Sequence, residues 1–224
     1  MELTSAAPAL VGEDLYRFFH AGDEEVLALR GVTIAVRSGE LVVVRGPSGS
    51  GKSTLLNCLA GLDEPDGGMV RLAGERFSRR PEAERAALRA RHLGVLFQSW
   101  NLVAHLSLED NVRLAQRLGG VDDRERRRSL LTRLGLDRRT RAMPSELSGG
   151  EAVRAGLATA LANDPAVLIA DEPTAEVDSA SERAVLELLR DEVESGRAVL
   201  VATHSDTVAS ASTRVVHLVD GRAA

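Results

Sequence analysis

Nine consecutive residues restrict this chain more than any others. Gly46-Pro47-Ser48-Gly49-Ser50-Gly51-Lys52-Ser53-Thr54 fits the pattern G-x-x-x-x-G-K-[ST]. The apolar run 41–44 precedes it, and a helical pattern over 52–60 follows it, with Gly61 where a C-terminal cap is expected. A buried strand feeding a glycine-rich loop that opens a helix predicts an α/β fold built on a parallel sheet. The residue types suit phosphate. Glycines let successive backbone N–H groups turn inward without Cβ clashes, and the helix N-terminus adds its dipole. Lys52 supplies a point charge for β- and γ-phosphates, and the Ser53 hydroxyl can ligate Mg²⁺.

The rest of the chain agrees with that class. Strands are predicted over 32–36 and 41–45 with a turn at Ser38-Gly39, and over 69–73 after the turn Asp66-Gly67-Gly68. Residues 81–91, 107–118 and 122–134 read as Arg-rich amphipathic helices, with one strand candidate, 93–97, among them. Strand and helix then alternate over 167–170, 181–194, 198–203, 205–210 and 215–219. Residues 1–14 show no clear periodicity and read as a loosely held lead-in.

Composition narrows the class further. A chain of 224 residues with 44% hydrophobic and 27% charged residues carries the core of one domain. The charge, 28 − 33 = −5, argues against a generally basic nucleic-acid binder. One cysteine, Cys58, allows no internal disulfide and fits a reducing compartment. No basic segment followed by an apolar run opens the chain, and the longest apolar runs, such as 166–170, are far too short to span a bilayer.

Four further features refine the chemistry. Leu147-Ser148-Gly149-Gly150-Glu151 is a small-residue loop opening a helix, a second anion-receptive N-terminus. Val167-Leu168-Ile169-Ala170-Asp171-Glu172 is an apolar strand ending in two carboxylates, Asp171 suited to hold Mg²⁺ and Glu172 to polarise an attacking water. Gln98 follows the strand 93–97, within reach of the metal and the water. His204 follows the strand 198–203, placed to contact the γ-phosphate.

Taken together and in this order, these motifs resemble the ATP-binding cassette (ABC) ATPases over nearly the whole chain. The resemblance implies a RecA-like P-loop NTPase core with an N-terminal antiparallel β-subdomain and an inserted α-helical subdomain, about 81–146, within a single domain. It implies ATP and Mg²⁺ as ligands. Residues 46–54 become the Walker A loop, Gln98 the Q-loop glutamine, 147–151 the signature loop, Glu172 the catalytic carboxylate, Asp178 the D-loop aspartate and His204 the switch histidine. Ser53, Gln98 and Asp171 would hold the metal. Two cassettes would pair head to tail, Ser148, Gly149 and Gly150 of one facing the γ-phosphate held by the other.

Further segments resemble the lipoprotein-release and macrolide-export type of cassette: residues 19–32, where Phe19 aligns with the aromatic that stacks on adenine, residues 61–68, and residues 97–112. That likeness implies an energising subunit at the cytoplasmic face of a membrane, held there by a permease on a separate chain, with no nucleic-acid partner. A regulatory ATP-binding subunit, a cell-division ABC complex, a soluble ABC protein and a phosphate-loop kinase are the competing readings. Two departures stand out. Val153 and Thr159 replace polar residues after the signature loop, and Thr174-Ala175-Glu176-Val177-Asp178 differs from the usual D-loop. Trp100 reads either as facing the permease or as packed within its own subdomain. The run Arg124, Arg126, Arg127 and Arg128 reads as a solvated helix face, and His20, His92, His105 and His217 as structural or surface residues.

Overall fold

Apolar strands with no polar alternation need cover on both faces, and three such strands are central to this fold. They are β3 (Leu41–Arg45), β7 (Val167–Asp171) and β8 (Ala198–Ala202). In the computed structural model, which describes residues 7–21, 24–97, 101–175 and 177–223, they lie at the centre of a six-stranded sheet. With β6 (Leu93–Leu96), β9 (Arg214–Val219) and β10 (Arg222–Ala223), the order is β10-β9-β3-β8-β7-β6. Every pairing from β9 to β6 is parallel, and only β10 is antiparallel.

Alternate residues of these strands enter different cores, as a two-residue period requires. Val42, Val44, Ile169 and Leu200 pack with α1 (Lys52–Leu59) and with a second sheet. Leu41, Val43, Leu168, Val199 and Val201 pack on the other face. There they meet α3 (Leu108–Leu118), α4 (Arg124–Arg133), α5 (Gly149–Ala160) and α6 (Ser179–Glu194). Helix α2 (Glu82–His92) precedes β6, and the short α7 (Asp206–Ser210) joins β8 to β9. Among these helices, Ser107 caps α3 through Asp110 N–H and Asp123 caps α4 through Arg126 N–H.

The second sheet is antiparallel. It comprises β1 (Leu10–Ala21), β2 (Glu24–Val36), β4 (Gly67–Leu72) and β5 (Glu75–Arg76), in the order β2-β1-β4-β5. The lead-in expected over 1–14 is thereby corrected from Leu10 onward. Strand β1 is interior to its sheet, and Leu10 and Leu15 are fully buried. Register shifts on either side of Leu15 and again after Arg17 break the two-residue alternation, so the strand leaves no regular pattern in the sequence.

Arg127 is a second correction. It is buried rather than solvated, and its guanidinium donates to Gln116 Oε1 at 2.5 Å and Asp122 Oδ1 at 3.2 Å. Cys58 lies in the core between α1 and the sheets, where burial above all pushes its thiol up to about 12, so it stays protonated and inert at neutral pH.

Leu10→Ala should cost about 2–5 kcal/mol, the range for removing a fully buried leucine side chain, read as a lowered urea midpoint. A midpoint unchanged from wild type would mean that β1 is not part of the cooperative core.

Candidate nucleotide site

The loop between β3 and α1 is shaped by backbone packed on backbone. A Cβ on Gly46 would lie 2.0 Å from the Leu218 carbonyl oxygen, and one on Gly51 would lie 2.5 Å from that of Ala28. Gly51 also has φ +101°, and it caps α1 with no side-chain acceptor and no acidic residue in the first turn. The helix therefore opens on free N–H groups and the positive end of its dipole. Pro47, Ser48 and Gly49 are exposed at the loop tip, and a Cβ on Gly49 would meet nothing within 4 Å. Lys52 is buried, its ammonium donating to the carbonyls of Gly46 (2.8 Å) and Pro47 (3.1 Å). Ser50 is buried as well, and its hydroxyl has no hydrogen-bond partner among the described residues.

Strands β7 and β8 bring the carboxylates and the histidine to the same end of the sheet. Glu172 N–H donates to the Ala202 carbonyl at 2.9 Å, holding the residue after β7 against β8. Its φ of +48° is unusual for a non-glycine residue and costs about 1–3 kcal/mol, a strain found preferentially at working sites. The Glu172 carboxylate faces His204 from two directions. His204 N–H donates to Oε2 at 3.3 Å, and His204 Nε2 stands 3.5 Å from Oε1. Oε1 is buried without a hydrogen-bond partner.

One cleft of about 530 Å³ collects most of these groups. Its walls include Ser48, Gly49, Gly51, Lys52, Ser53, Thr54, Asp171, Glu172 and His204, with Phe19, Val26 and Ala28 at the apolar end. Phe19 is partly exposed there, and the Arg17 guanidinium sits 4.8 Å from its ring centroid, fixed from behind by Asp66. A half-exposed aromatic at one end and a loop of free N–H groups at the other suit a nucleotide, base against ring and phosphates on the loop.

A hard divalent cation would meet oxygen donors only, the Ser53 hydroxyl and the Asp171 carboxylate, the remainder coming from phosphate and water. No trio of His, Cys, Asp or Glu suited to hold a metal by itself occurs among the described residues. That sparse protein donor set is the pattern of Mg²⁺ with a phosphate ligand. Gln98, also expected here, lies outside the described residues, as do Trp100 and Glu176.

Ser148, Gly149, Gly150 and Asp178 are not walls of this cleft. They lie elsewhere, at the N-termini of α5 and α6, which adjoin at Gly150 and Ser181. Ser148 caps α5 in a reciprocal pair with Glu151. Asp178 caps α6, accepting from the N–H groups of Ala180 (2.9 Å) and Ser181 (3.0 Å) and from the Ser181 hydroxyl (2.8 Å). Those bonds, led by the Ser181 N–H, hold the Asp178 carboxyl below its usual range. A Cβ on Gly150 would lie 2.4 Å from Ser181 Oγ, so the two helix ends pack only because Gly150 has none.

Val153 is buried in the second core and presents nothing to a partner, and the Thr159 hydroxyl bonds the Ala155 carbonyl. Sequence reasoning missed the hairpin of β9 and β10, whose Gly221 N–H donates to the Ser50 carbonyl at 3.1 Å and whose Gly221 carbonyl accepts from Arg30 N–H at 2.8 Å. The Asp220-Gly221 turn signal was present, but β10 is only two residues long.

Comparison with known proteins follows this geometry. A family profile described as "ABC transporter" matches residues 29–175. The "Macrolide export ATP-binding/permease protein MacB 1" of Yersinia pestis bv. Antiqua (strain Antiqua) is 41% identical over 213 residues, which is 94% of this chain and 33% of that protein. The chain thus spans about a third of the length of that relative. An ABC transporter ATP-binding protein of Thermotoga maritima is 42% identical over 212 residues, 93% of this chain and 91% of the relative. Among solved structures, the "Dimeric Structure of MJ0796, a Bacterial ABC Transporter Cassette" superposes with a TM-score of 0.89 at 33% identity, covering 96% of each chain. A second structure of that cassette, described as post-hydrolysis and bound to ADP and Pi, superposes at 0.88. The RecA-like core, the antiparallel β-subdomain and the helical insertion all agree with these cassettes.

The Glu151 carboxyl is held down to about 2, first by the Arg139 guanidinium at 2.8 Å and then by the Ser148 N–H. Its folded value lies below the ordinary 4.5, so its contribution to stability is complete above about pH 4.5 and fades as pH falls toward 2. Wild type should therefore exceed Glu151→Gln in urea midpoint at pH 6, and the gap should close between pH 4.5 and 2. A gap independent of pH would contradict the pairing.

Proposed function

The chain belongs to the ABC transporter family, and on that premise we propose that it binds ATP with Mg²⁺ and hydrolyses it between two head-to-tail cassettes to drive a membrane permease. One observation carries the reading. The phosphate loop, Asp171, Glu172 and His204 share a cleft, while the second glycine-rich helix end at Ser148–Gly150 lies outside it. A site completed by a second copy accounts for both halves, and the dimeric MJ0796 cassettes give it precedent. The stretch 81–146 is then the helical subdomain that presents the signature loop to that copy.

In the proposed reaction, N–H groups of the phosphate loop and the α1 N-terminus bind the β- and γ-phosphates. Lys52, at the base of the loop, exchanges its carbonyl partners for phosphate oxygens. Phe19 stacks on the base. Ser53 and Asp171 would hold Mg²⁺, which would supply charge neutralisation for the phosphates. Glu172 orients a water in line with the γ-phosphorus and takes its proton. The water oxygen bonds to phosphorus as the bond to the β–γ bridging oxygen breaks, leaving ADP and phosphate. His204, beside Glu172, stabilises the γ-phosphate. Positioning and charge carry the rate, since the protein forms no covalent bond.

Glu172→Gln should retain ATP binding, accumulate an ATP-dependent dimer on size-exclusion chromatography and lose turnover. Continued hydrolysis in that variant would overturn the assignment.

We also infer the membrane link. No helix among the described residues is long and apolar enough to cross a bilayer. The macrolide-export relative joins its ATP-binding third to a permease by name, whereas the Thermotoga relative is cassette-sized. On the pattern of the Thermotoga relative, we propose a permease on a separate chain, with this subunit peripheral at the cytoplasmic face. An apolar groove of about 590 Å³ lined by Leu62, Ala86, Ala87, Ala90, Phe97 and Leu118 suits an amphipathic permease segment, and Leu118 is 73% exposed at its edge. The double variant Leu62→Asp/Leu118→Asp should bind ATP normally yet no longer sediment with membranes from its own cell. Unchanged sedimentation would move the contact elsewhere.

A further inference from the structure

The segment that carries His204 is gripped from both sides by residues outside the nucleotide cleft. On one side is Arg45, the last residue of β3, directly before the phosphate loop. Its guanidinium donates to the His204 carbonyl at 3.0 Å and to Asp206 Oδ1 at 2.8 Å. On the other side is Glu182, in the first turn of α6, whose Oε1 accepts from the Ser205 hydroxyl at 2.5 Å. That hydroxyl also accepts from Val208 N–H at 3.2 Å, so Ser205 caps α7 while tied to α6. Beneath them, buried Thr203 is anchored by its N–H on the Val44 carbonyl at 3.2 Å.

The contrast with the histidine side chain is informative. The backbone over 203–206 is bonded on every side, yet the His204 ring is 60% exposed and makes only its approach to Glu172. Its place in the cleft is thus set by the backbone that bears it. Ordinary surface pairing does not explain Arg45. Asp206 is 90% exposed, so that ion pair adds little stability, whereas the bond to the His204 carbonyl fixes the one peptide that orients the ring.

We propose that Arg45 and Glu182 are positioning residues that hold His204 at the distance its contact with the γ-phosphate requires. Glu182 lies one turn after Asp178 on the same helix, whose Ser181 packs on Gly150. The clamp therefore also joins the His204 segment to the helix end that faces the partner cassette. This inference rests on the ATPase reading above and adds two residues to it.

The test compares Arg45→Ala, Arg45→Lys, Glu182→Ala and Glu182→Gln in the full chain. Arg45→Ala and Glu182→Ala should each lower kcat about tenfold, since misplacements below 1 Å are felt strongly in positioned reactions. KM for ATP should stay within about twofold, and thermal midpoints should match wild type. Arg45→Lys and Glu182→Gln, which keep a donor and an acceptor, should recover part of the rate. In a His204→Ala background, Arg45→Ala should cost nothing further. Unchanged kcat, a rise in KM alone, or a full additional loss in that background would each overturn the proposal.

A second measurement separates the two readings. Loss of turnover in wild type itself would refute the ATPase assignment but not the clamp. The His204 ring resonance in ¹H–¹³C spectra, assigned with His204→Gln at one pH, reads the clamp without catalysis. A shift in Arg45→Ala that is absent from Arg91→Ala supports the clamp, and an unmoved resonance rejects it.

Discussion

The close approach of three backbone segments around the phosphate loop is the contact on which the rest of the site depends. The Leu218 carbonyl packs on Gly46, the Ala28 carbonyl packs on Gly51, and Gly221 bridges the two neighbours by bonding both Ser50 and Arg30. A Cβ at either motif glycine would come closer than atoms can, so these glycines are needed for packing before any ligand arrives. The loop is thereby wedged between the β9–β10 hairpin and β2, that is, between the two sheets. Its two ends are held by backbone, while its tip, Pro47 to Gly49, stays exposed beside the cleft. Lys52 completes the arrangement, since its ammonium bonds two carbonyls of its own loop and keeps the cation at the base of the cleft. The shape is set in advance, which spares the ordering cost that a flexible anion site would meet on binding.

The legible parts of this chain are those where one local rule decides the outcome. Strands β3, β7 and β8 are continuous apolar runs because both faces are covered, and the sequence displays that directly. The phosphate loop, the paired carboxylates and His204 each sit at the end of such a strand or within two residues past it, so placing the strand placed the residue. Strand β1 shows the opposite case. Its register shifts near Leu15 and Arg17 destroy the alternation that would have announced it, although Leu10 and Leu15 are as buried as any residue in the chain. Arg127 was hidden for a related reason. Its neighbours Arg124, Arg126 and Arg128 look the same in sequence, and only the placement of Gln116 and Asp122 across α3 and the following loop singles it out. Arg45 and Gly150 owe their places to partners more than thirty residues away, Asp206 and Ser181, which no local pattern reports.

The two helix ends outside the cleft make a separate physical problem. An N-terminus proposed to meet phosphate from a second copy should not carry an uncompensated acid, yet Glu151 stands in the first turn of α5. The structure resolves this by geometry. One carboxylate oxygen accepts from the Ser148 N–H and both are engaged by Arg139, at 2.8 and 3.3 Å, so the charge is spent within the helix end. The Ser148 hydroxyl accepts from Glu151 N–H and keeps its own proton to donate outward. Glu151 thus acts as the organiser of the cap, and the repulsion it would exert on an incoming phosphate is largely cancelled by Arg139.

On the two-cassette reading proposed above, the same reasoning gives a route between the two halves of the site. Asp178 and Glu182 lie one helical turn apart on α6 and so share its first turns. Asp178 accepts from Ser181, which lies so near Gly150 that a Cβ there would stand 2.4 Å from Ser181 Oγ, and Glu182 accepts from Ser205 beside His204. On the two-cassette reading proposed above, a displacement of α5 by the partner's phosphate would pass to α6 through this contact. From α6 it reaches the backbone that orients His204 in this chain's own cleft. Each step is a contact between rigid elements with one arrangement in the present state, so what α6 carries is its position, and His204 is where that position meets the chemistry.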